Sequence, residues 1–240
     1  MKASLPRVAS IGLFVAISIS AMVPAKRSRT HDWPGATLLH IAAEKWDLQK
    51  TKEALESGID PNNGDEWGLT AAHYAAMYST DMCCLFVYNK KSPRFGQLVP
   101  DEGGQEVLQL LVGLPGVNLN AQACGGMTPL HISVGSGLIA RTSILLRAGA
   151  DPNVADGSGM TALHHAVAPS NHCCEDYHDY NHVLSLVLAR PDVDLEVRTR
   201  RGNTALQGAA ILGWVGSLRL LLQAGASMTP GNDECWPRAR

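Results

Sequence analysis

Two kinds of apolar segment alternate along most of the chain. The first kind begins with Gly-x-Thr and continues with small and apolar residues, and it occurs five times: at 35–43, 68–76, 126–134, 159–167 and 202–210. Each copy is followed by a leucine-rich stretch whose apolar positions recur at helical spacing, as in ILLRAGA at 144–150. Both kinds are predicted to be helices. The small residues of the first kind would allow that helix to pack tightly against its neighbours.

The spacing of the copies indicates insertions at two places. The segment threonines are Thr37, Thr70, Thr128, Thr161 and Thr204, separated by 33, 58, 33 and 43 residues. Two separations equal a repeat period of about 33 residues, and the other two are longer. One extra residue lies in each of the longer endings LPGVNLN and RPDVDLE. The remainder is predicted between the two helices of repeats two and four, at roughly 79–103 and 169–178.

These signatures resemble the ankyrin-repeat family, most closely where TPLHISV is followed by ILLRAGADPN. The resemblance implies an all-α repeat solenoid, an ankyrin-repeat array of stacked helix-turn-helix units with β-hairpin fingers. It covers residues 32–228, with repeats at about 32–64, 65–122, 123–155, 156–198 and 199–228. In the family the TPLH histidine is structural and bonds between neighbouring repeats. That role is implied for His40, His73, His131 and His164, with Gln207 at the same place in repeat five.

The resemblance also implies a function and the residues that perform it. Ankyrin arrays are non-enzymatic modules that bind a protein partner on a concave face of fingers and inner helices. The motif places the partner-contacting positions at Trp33, Glu44, Lys45, Glu66, Trp67, Leu69, Met77, Tyr78, Met127, Ser136, Ser158, Met160, Arg200, Arg201, Asn203 and Ile211. Trp67, Leu69, Met127 and Met160 would form an apolar patch. Arg198, Arg200 and Arg201 would form a basic end.

The N-terminal segment has the parts of a secretory signal peptide. Lys2 and Arg7 precede an uncharged apolar run, 8–23, and the small residue Ala25 follows. Residues 1–25 are predicted to be a signal peptide or a signal anchor, 26–31 a linker and 229–240 a tail. The alternatives are a helix that belongs to the fold and a membrane-anchored adaptor. Six cysteines would suit an oxidising compartment, whereas ankyrin arrays are mostly intracellular, so the compartment stays open.

Composition gives no reason to expect nucleic-acid or membrane binding. The formal net charge is −2 and 45% of the residues are hydrophobic. The chain has no Gly-rich phosphate loop, HExxH or GxSxG motif. We therefore expect no enzyme activity and no cofactor.

One segment carries metal-ligand chemistry. Residues 171–182, NHCCEDYHDYNH, contain the candidate ligands Cys173, Cys174, His178 and His182. The two histidines are four residues apart and could share one face of a helix. However, the spacing matches no standard zinc pattern, and a polar loop explains the composition equally well. A disulfide framework and a thiol-dependent activity are the remaining alternatives.

Overall fold

The architecture is a stack of paired helices. The computed structural model describes residues 35–77, 102–167 and 178–228. Within these ranges lie five helix pairs: α1 (Leu38–Glu44) with α2 (Leu48–Glu56), α3 (Ala71–Ala76) with α4 (Glu102–Val112), α5 (Pro129–Gly135) with α6 (Ile139–Arg147), α7 (Ala162–Val167) with α8 (His178–Leu188), and α9 (Ala205–Leu212) with α10 (Val215–Gln223). The first helix of each pair, the inner helix, contacts the next inner helix, and the second, the outer helix, contacts the next outer helix. The predicted helical repeat solenoid is confirmed.

Each inner helix begins at the threonine of its repeat. Thr70 has extended backbone dihedral angles, and its N–H donates to Nδ1 of His73 at 3.0 Å. In the fifth repeat the N–H of Thr204 donates to Oε1 of Gln207 at 2.9 Å. These reciprocal contacts form a capping box, which provides acceptors for N–H groups of the first turn that have no hydrogen-bond partner within the helix.

The same histidines tie successive repeats together. Because Nδ1 of His73 accepts the threonine N–H, Nε2 carries the proton and donates to the carbonyl of Met127 at 3.1 Å. His164 donates in the same way to Asn203 at 3.3 Å, and His40 donates to Asn63 at 2.9 Å. The predicted bond to the neighbouring repeat is therefore present for His73 and His164, whereas His40 bonds within 32–64, the range of its own repeat.

The insertions lie between inner and outer helices, as predicted. Residues 77–101 separate α3 from α4 and residues 168–177 separate α7 from α8, whereas only residues 45–47 separate α1 from α2. Several predictions fall outside the described residues: the 1–25 segment, the 26–31 linker, the 229–240 tail, Trp33, Tyr78, Cys173, Cys174 and the side chain of His178. Within the ranges that are described, no helix is both long enough and apolar enough to cross a membrane.

The fingers differ from the prediction. No strand occurs in residues 35–77, 102–167 or 178–228, so the expected β-hairpins are compact turns in this part of the chain. In repeat four the turn is closed by a hydrogen bond from the N–H of Asp156 to the carbonyl of Met160, at 2.8 Å. Its glycine, Gly159, has a φ of +76°, a conformation that glycine adopts without strain.

A buried arginine joins the first three repeats on the side of the outer helices. Arg141 in α6 is 0% exposed, and its guanidinium lies 4.5 Å from the centroid of the Trp46 ring in the α1–α2 turn. A Cβ atom added at Gly104 in α4 would collide with that guanidinium. The glycine is therefore required for Arg141 to pass between α4 and Trp46.

Candidate functional site

The structure distributes the predicted partner-contacting residues over three environments. Lys45, Glu66, Arg200, Arg201 and Ile211 are exposed, and Glu44, Trp67, Met77, Ser136, Ser158, Met160 and Asn203 are partly exposed. Leu69 and Met127 are buried. Most of the described positions are therefore accessible to a partner, whereas two of the apolar ones are not.

The burial of Leu69 and Met127 corrects the predicted apolar patch. These side chains are only 4% and 2% exposed, and both belong to the hydrophobic core. Each lies directly before the threonine that caps an inner helix, where the chain turns inward from the finger. Met160 has the same position in repeat four but is only partly buried. Of the four predicted patch residues, Trp67 and Met160 remain accessible, and both also pack against the core.

A groove lies between the fourth and fifth repeats, and its volume is about 220 Å³. The fingers contribute Gly157, Ser158, Met160, Thr199, Arg200, Arg201, Asn203 and Thr204, and the inner helices α7 and α9 contribute His164, Val167, Ala205, Gly208, Ile211 and Leu212. Six of these residues were predicted as partner contacts: Ser158, Met160, Arg200, Arg201, Asn203 and Ile211. The structure thus gathers the predicted residues of two repeats at one site.

A glycine determines how closely the two fingers of the groove approach. A Cβ atom added at Gly159 would lie 2.8 Å from the backbone nitrogen of Arg200. With no Cβ there, the N–H of Arg200 donates to the carbonyl of Ser158 at 2.9 Å. This hydrogen bond places Arg200 beside the fourth finger, on the rim of the groove.

A buried carboxylate shapes the fourth finger. Oδ1 of Asp156 accepts from the N–H groups of Ser158 at 2.7 Å and Met160 at 2.9 Å, and Oδ2 accepts from Nε2 of His165 at 2.9 Å. Burial raises the pKa of Asp156, but the hydrogen bonds from His165 and the finger N–H groups outweigh it and leave the pKa below its ordinary value. The finger is therefore held by an ionised carboxylate in the core.

The second repeat has an equivalent arrangement. Oδ1 of Asp65 accepts from the N–H groups of Trp67 and Leu69, each at 2.9 Å, and Oδ2 accepts from the Tyr74 hydroxyl at 2.7 Å. Neither arrangement was predicted from the sequence. The signal that could have found them is an aspartate five residues before the segment threonine, with a hydrogen-bond donor nine residues after the aspartate.

The pair in the fourth repeat also faces a histidine of the third. The His131 and His165 rings meet edge-on with their centroids 5.1 Å apart. Burial, followed by the proximity of His165, lowers the pKa of His131 to about 3. Among the described residues, Nε2 of His131 and Nδ1 of His165 have no hydrogen-bond partner. Both rings are only 1% exposed, so this cluster lies out of reach of a substrate and has a structural role.

The charged side chains at the groove are basic. None of the described residues that line it is Asp or Glu, and the side chains of Arg200 and Arg201 are exposed on its rim. Arg198 lies on the same finger, where its Nη1 donates to the carbonyl of Gly202 at 2.8 Å. Burial lowers the pKa of His164 to about 4, so this residue is neutral near pH 7 and leaves the arginines as the charged groups of the site.

The described part of the chain offers no alternative metal centre. Within residues 35–77, 102–167 and 178–228, no three His, Cys, Asp or Glu side chains are grouped so that they could hold an ion. His182, one of the predicted ligands, is exposed on α8. The cysteine of the third finger, Cys124, is an exposed thiol.

Comparison with known families agrees with the geometry of the repeats. The family model described as ankyrin repeats, in three copies, matches residues 98–176. The resemblance to ankyrin repeats is therefore confirmed for this stretch of the chain. Ankyrin repeats generally mediate protein–protein interaction and are typically non-enzymatic.

Individual relatives share only a segment with this chain. ZDHHC13 of Danio rerio is 28% identical over 212 residues, which are 78% of this chain and 29% of the relative. Neurogenic locus notch homolog protein 1 of Xenopus tropicalis is 30% identical over 140 residues, 58% of this chain and 5% of the relative. The human transient receptor potential cation channel subfamily A member 1 is 32% identical over 113 residues, 47% of this chain and 9% of the relative. The chain therefore spans less than a third of each of these relatives.

Proposed function

We propose that this chain binds a protein partner through the concave surface formed by its fingers and inner helices, centred on the groove between repeats four and five. The observation that supports the proposal is the convergence of six predicted contact positions on that groove. They come from two fingers and one inner helix, which are separate in sequence and adjacent in the stack.

The dimensions of the groove favour a peptide side chain over a free small molecule. Its volume of about 220 Å³ is below the roughly 300–1,000 Å³ of typical small-molecule sites. An accessible apolar floor with polar groups at the edge is the arrangement found at the energetic centre of protein interfaces. The proposed occupant is therefore a partner that inserts one or two side chains.

A photo-crosslinking amino acid tests which face contacts the partner. Ile211 and Val215 form a matched pair, because both are apolar and exposed, by 44% and 66%, and they are four residues apart. Ile211 lines the groove, whereas Val215 begins the outer helix α10. With the crosslinker at position 211 we expect a discrete protein adduct in cells, and with it at position 215 we expect none.

The competing result is equally specific. Adducts at position 215 but not at 211 would mean that the outer helices bind the partner, and the proposal would be wrong. A second variant, Ile211→Arg, should weaken capture of the crosslinked partner at least tenfold by placing a bulky charge in the groove. Val215→Arg should leave that capture unchanged.

A further inference from the structure

We infer that Gly208 is the specificity-determining residue of the groove between repeats four and five, and that the space beside it takes an aromatic ring of the partner. This inference rests on the proposed function and specifies the side chain that the partner inserts. It follows from the residues that the other inner helices place at the position of Gly208.

In the other inner helices a side chain of the chain itself stands at this position. It is the fourth residue after the segment threonine: Ile41, Tyr74, Ile132 and His165 in repeats one to four, and Gly208 in repeat five. In repeats two to four these side chains are buried, with at most 8% of their surface exposed. Gly208 is only partly buried, and a Cβ atom added to it would meet no atom within 4 Å. The position is therefore filled in repeats two to four and open in repeat five.

Two of these side chains are rings that pack against a histidine of the preceding repeat. The Tyr74 ring meets the His40 ring edge-on, with the centroids 5.7 Å apart. The His165 ring meets the His131 ring in the same way at 5.1 Å. Both distances lie in the roughly 4.5–7 Å range that edge-on aromatic pairs prefer. The histidine of repeat four, His164, lines the groove, and repeat five has a glycine where its ring would stand. A ring from the partner would therefore complete the same pair.

The fifth finger also lacks the group that bonds such a ring in repeats two and four. There the ring bonds to an aspartate of its own finger, Asp65 or Asp156. That aspartate lies five residues before the segment threonine, and the corresponding residue of repeat five is Thr199, which lines the groove. Because no carboxylate stands at this place, an uncharged ring can enter without leaving a buried charge unpaired.

Apolar side chains form the walls around this space. Met160 comes from the fourth finger, Val167 from α7, and Ile211 and Leu212 from α9. Ile211 is 44% exposed, so an inserted ring would remove apolar area that is in water in the free chain. The thioether of Met160 suits an aromatic neighbour, because sulfur makes favourable contacts with ring edges.

Peptide selection tests this inference. A display library of random twelve-residue peptides would be selected on the full chain, and binding of the enriched peptides would be measured by fluorescence anisotropy. We expect one Phe, Tyr or Trp shared by the enriched peptides, and its replacement by alanine should weaken binding at least tenfold. Gly208→Tyr, which places a ring at this position from within the chain, should also weaken binding at least tenfold. Gly208→Ala adds one methyl group and should weaken it less.

The matched control is Ala210→Tyr. It adds the same ring to the same helix, at an exposed position that does not line the groove, and it should alter the affinity less than twofold. Equal losses in Gly208→Tyr and Ala210→Tyr would overturn the inference. So would a selection that enriches aliphatic residues without an aromatic one, or one that enriches no peptide.

A second measurement needs no substitution in the chain. In nuclear magnetic resonance spectra the ring-proton signals of His164 should shift when the aromatic peptide is added, because the inserted ring lies against this side chain. Unchanged His164 signals at a saturating peptide concentration would overturn the inference, whether or not Gly208→Tyr folds.

Other outcomes separate this inference from the proposed function. Peptides that lose binding in Ile211→Arg but not in Gly208→Tyr would overturn the role of Gly208 and leave the concave site standing. Peptides that bind regardless of both substitutions would contradict both. If Trp236→Ala strengthened peptide binding tenfold, a segment of this chain would be the natural occupant, and the inference of a separate partner would be wrong.

Discussion

Replacing His131 by glutamine should make the fold less sensitive to acid without weakening it near neutral pH. The substitution already has a precedent in the chain, because Gln207 occupies the same position in repeat five and caps its helix with Oε1 at 2.9 Å from the Thr204 nitrogen. His131 has no Nε2 hydrogen bond to lose within the described residues. Glutamine at this position would therefore keep the cap and remove a titrating group from the core.

The magnitude follows from the pKa of His131. Its folded pKa of about 3 lies below the ordinary histidine pKa of 6.5, so between these values the unfolded chain binds a proton that the folded chain excludes. The stabilising effect of the neutral ring is fully present above the unfolded pKa and is lost as the pH falls below it. At about pH 5 the free energy of unfolding is therefore lower by roughly 2 kcal/mol. This corresponds to the difference of about 1.5 units between that pH and the unfolded pKa.

His73 and His164 add to the effect, because burial lowers the pKa of each to about 4. Together the three histidines should lower the free energy of unfolding by roughly 6 kcal/mol at about pH 5. This is comparable to the whole free energy of unfolding of many domains. The free energy of unfolding should therefore fall steeply toward that pH, and His131→Gln should recover about a third of the loss.

Urea unfolding monitored by circular dichroism at about pH 7.5 and about pH 5 measures these losses directly. The control is His182→Gln, which replaces a histidine at an exposed position on α8 instead of one in the core. If His131→Gln lost as much free energy of unfolding between the two pH values as the natural chain, the buried neutral ring would not be the source of the acid sensitivity.

Two further pairs of substitutions test the packing that supports the repeats. Gly104→Ala should lower the free energy of unfolding by roughly 1–3 kcal/mol, because the new methyl group would collide with the buried Arg141. In the same chemical-denaturation assay Gly208→Ala should raise the free energy of unfolding by roughly 0.5–1 kcal/mol, because its methyl group meets no atom within 4 Å. Asp156→Ala should cost roughly 2–4 kcal/mol in thermal or urea unfolding, because it leaves two finger N–H groups and a buried imidazole without an acceptor. Asp60→Ala, which removes one hydrogen bond at an exposed turn, should cost less than about 1 kcal/mol, and equal losses at the two aspartates would show that burial of the carboxylate is not decisive.

The repeated helices could be predicted because their signals are local. A threonine followed three residues later by histidine or glutamine specifies a capping box, and a glycine such as Gly149, with a φ of +92°, ends an outer helix. These signals need no knowledge of the neighbouring repeat. The positions of the insertions could also be predicted without the neighbouring repeat, because they follow from the spacing of the segment threonines alone.

The contact surface was harder to predict because burial depends on the neighbouring repeats. Leu69, Met127 and Met160 have the same position in three successive repeats, yet the first two are buried and the third lines a groove. The pair Asp156–His165 was missed for a similar reason. It links a finger to an inner helix across nine residues, and neither helical periodicity nor a helix cap depends on it.

The repeated framework explains why the differences between repeats carry the function. The His164–Asn203 hydrogen bond has its counterpart in repeat two, so it fixes the spacing of fingers without distinguishing one site from another. Where the framework is the same, specificity must come from the side chains that it presents. The fifth finger presents Arg200 and Arg201 beside the accessible Met160 of the fourth. Accessible apolar area therefore differs from repeat to repeat, and the junction of repeats four and five is where we propose that the partner binds.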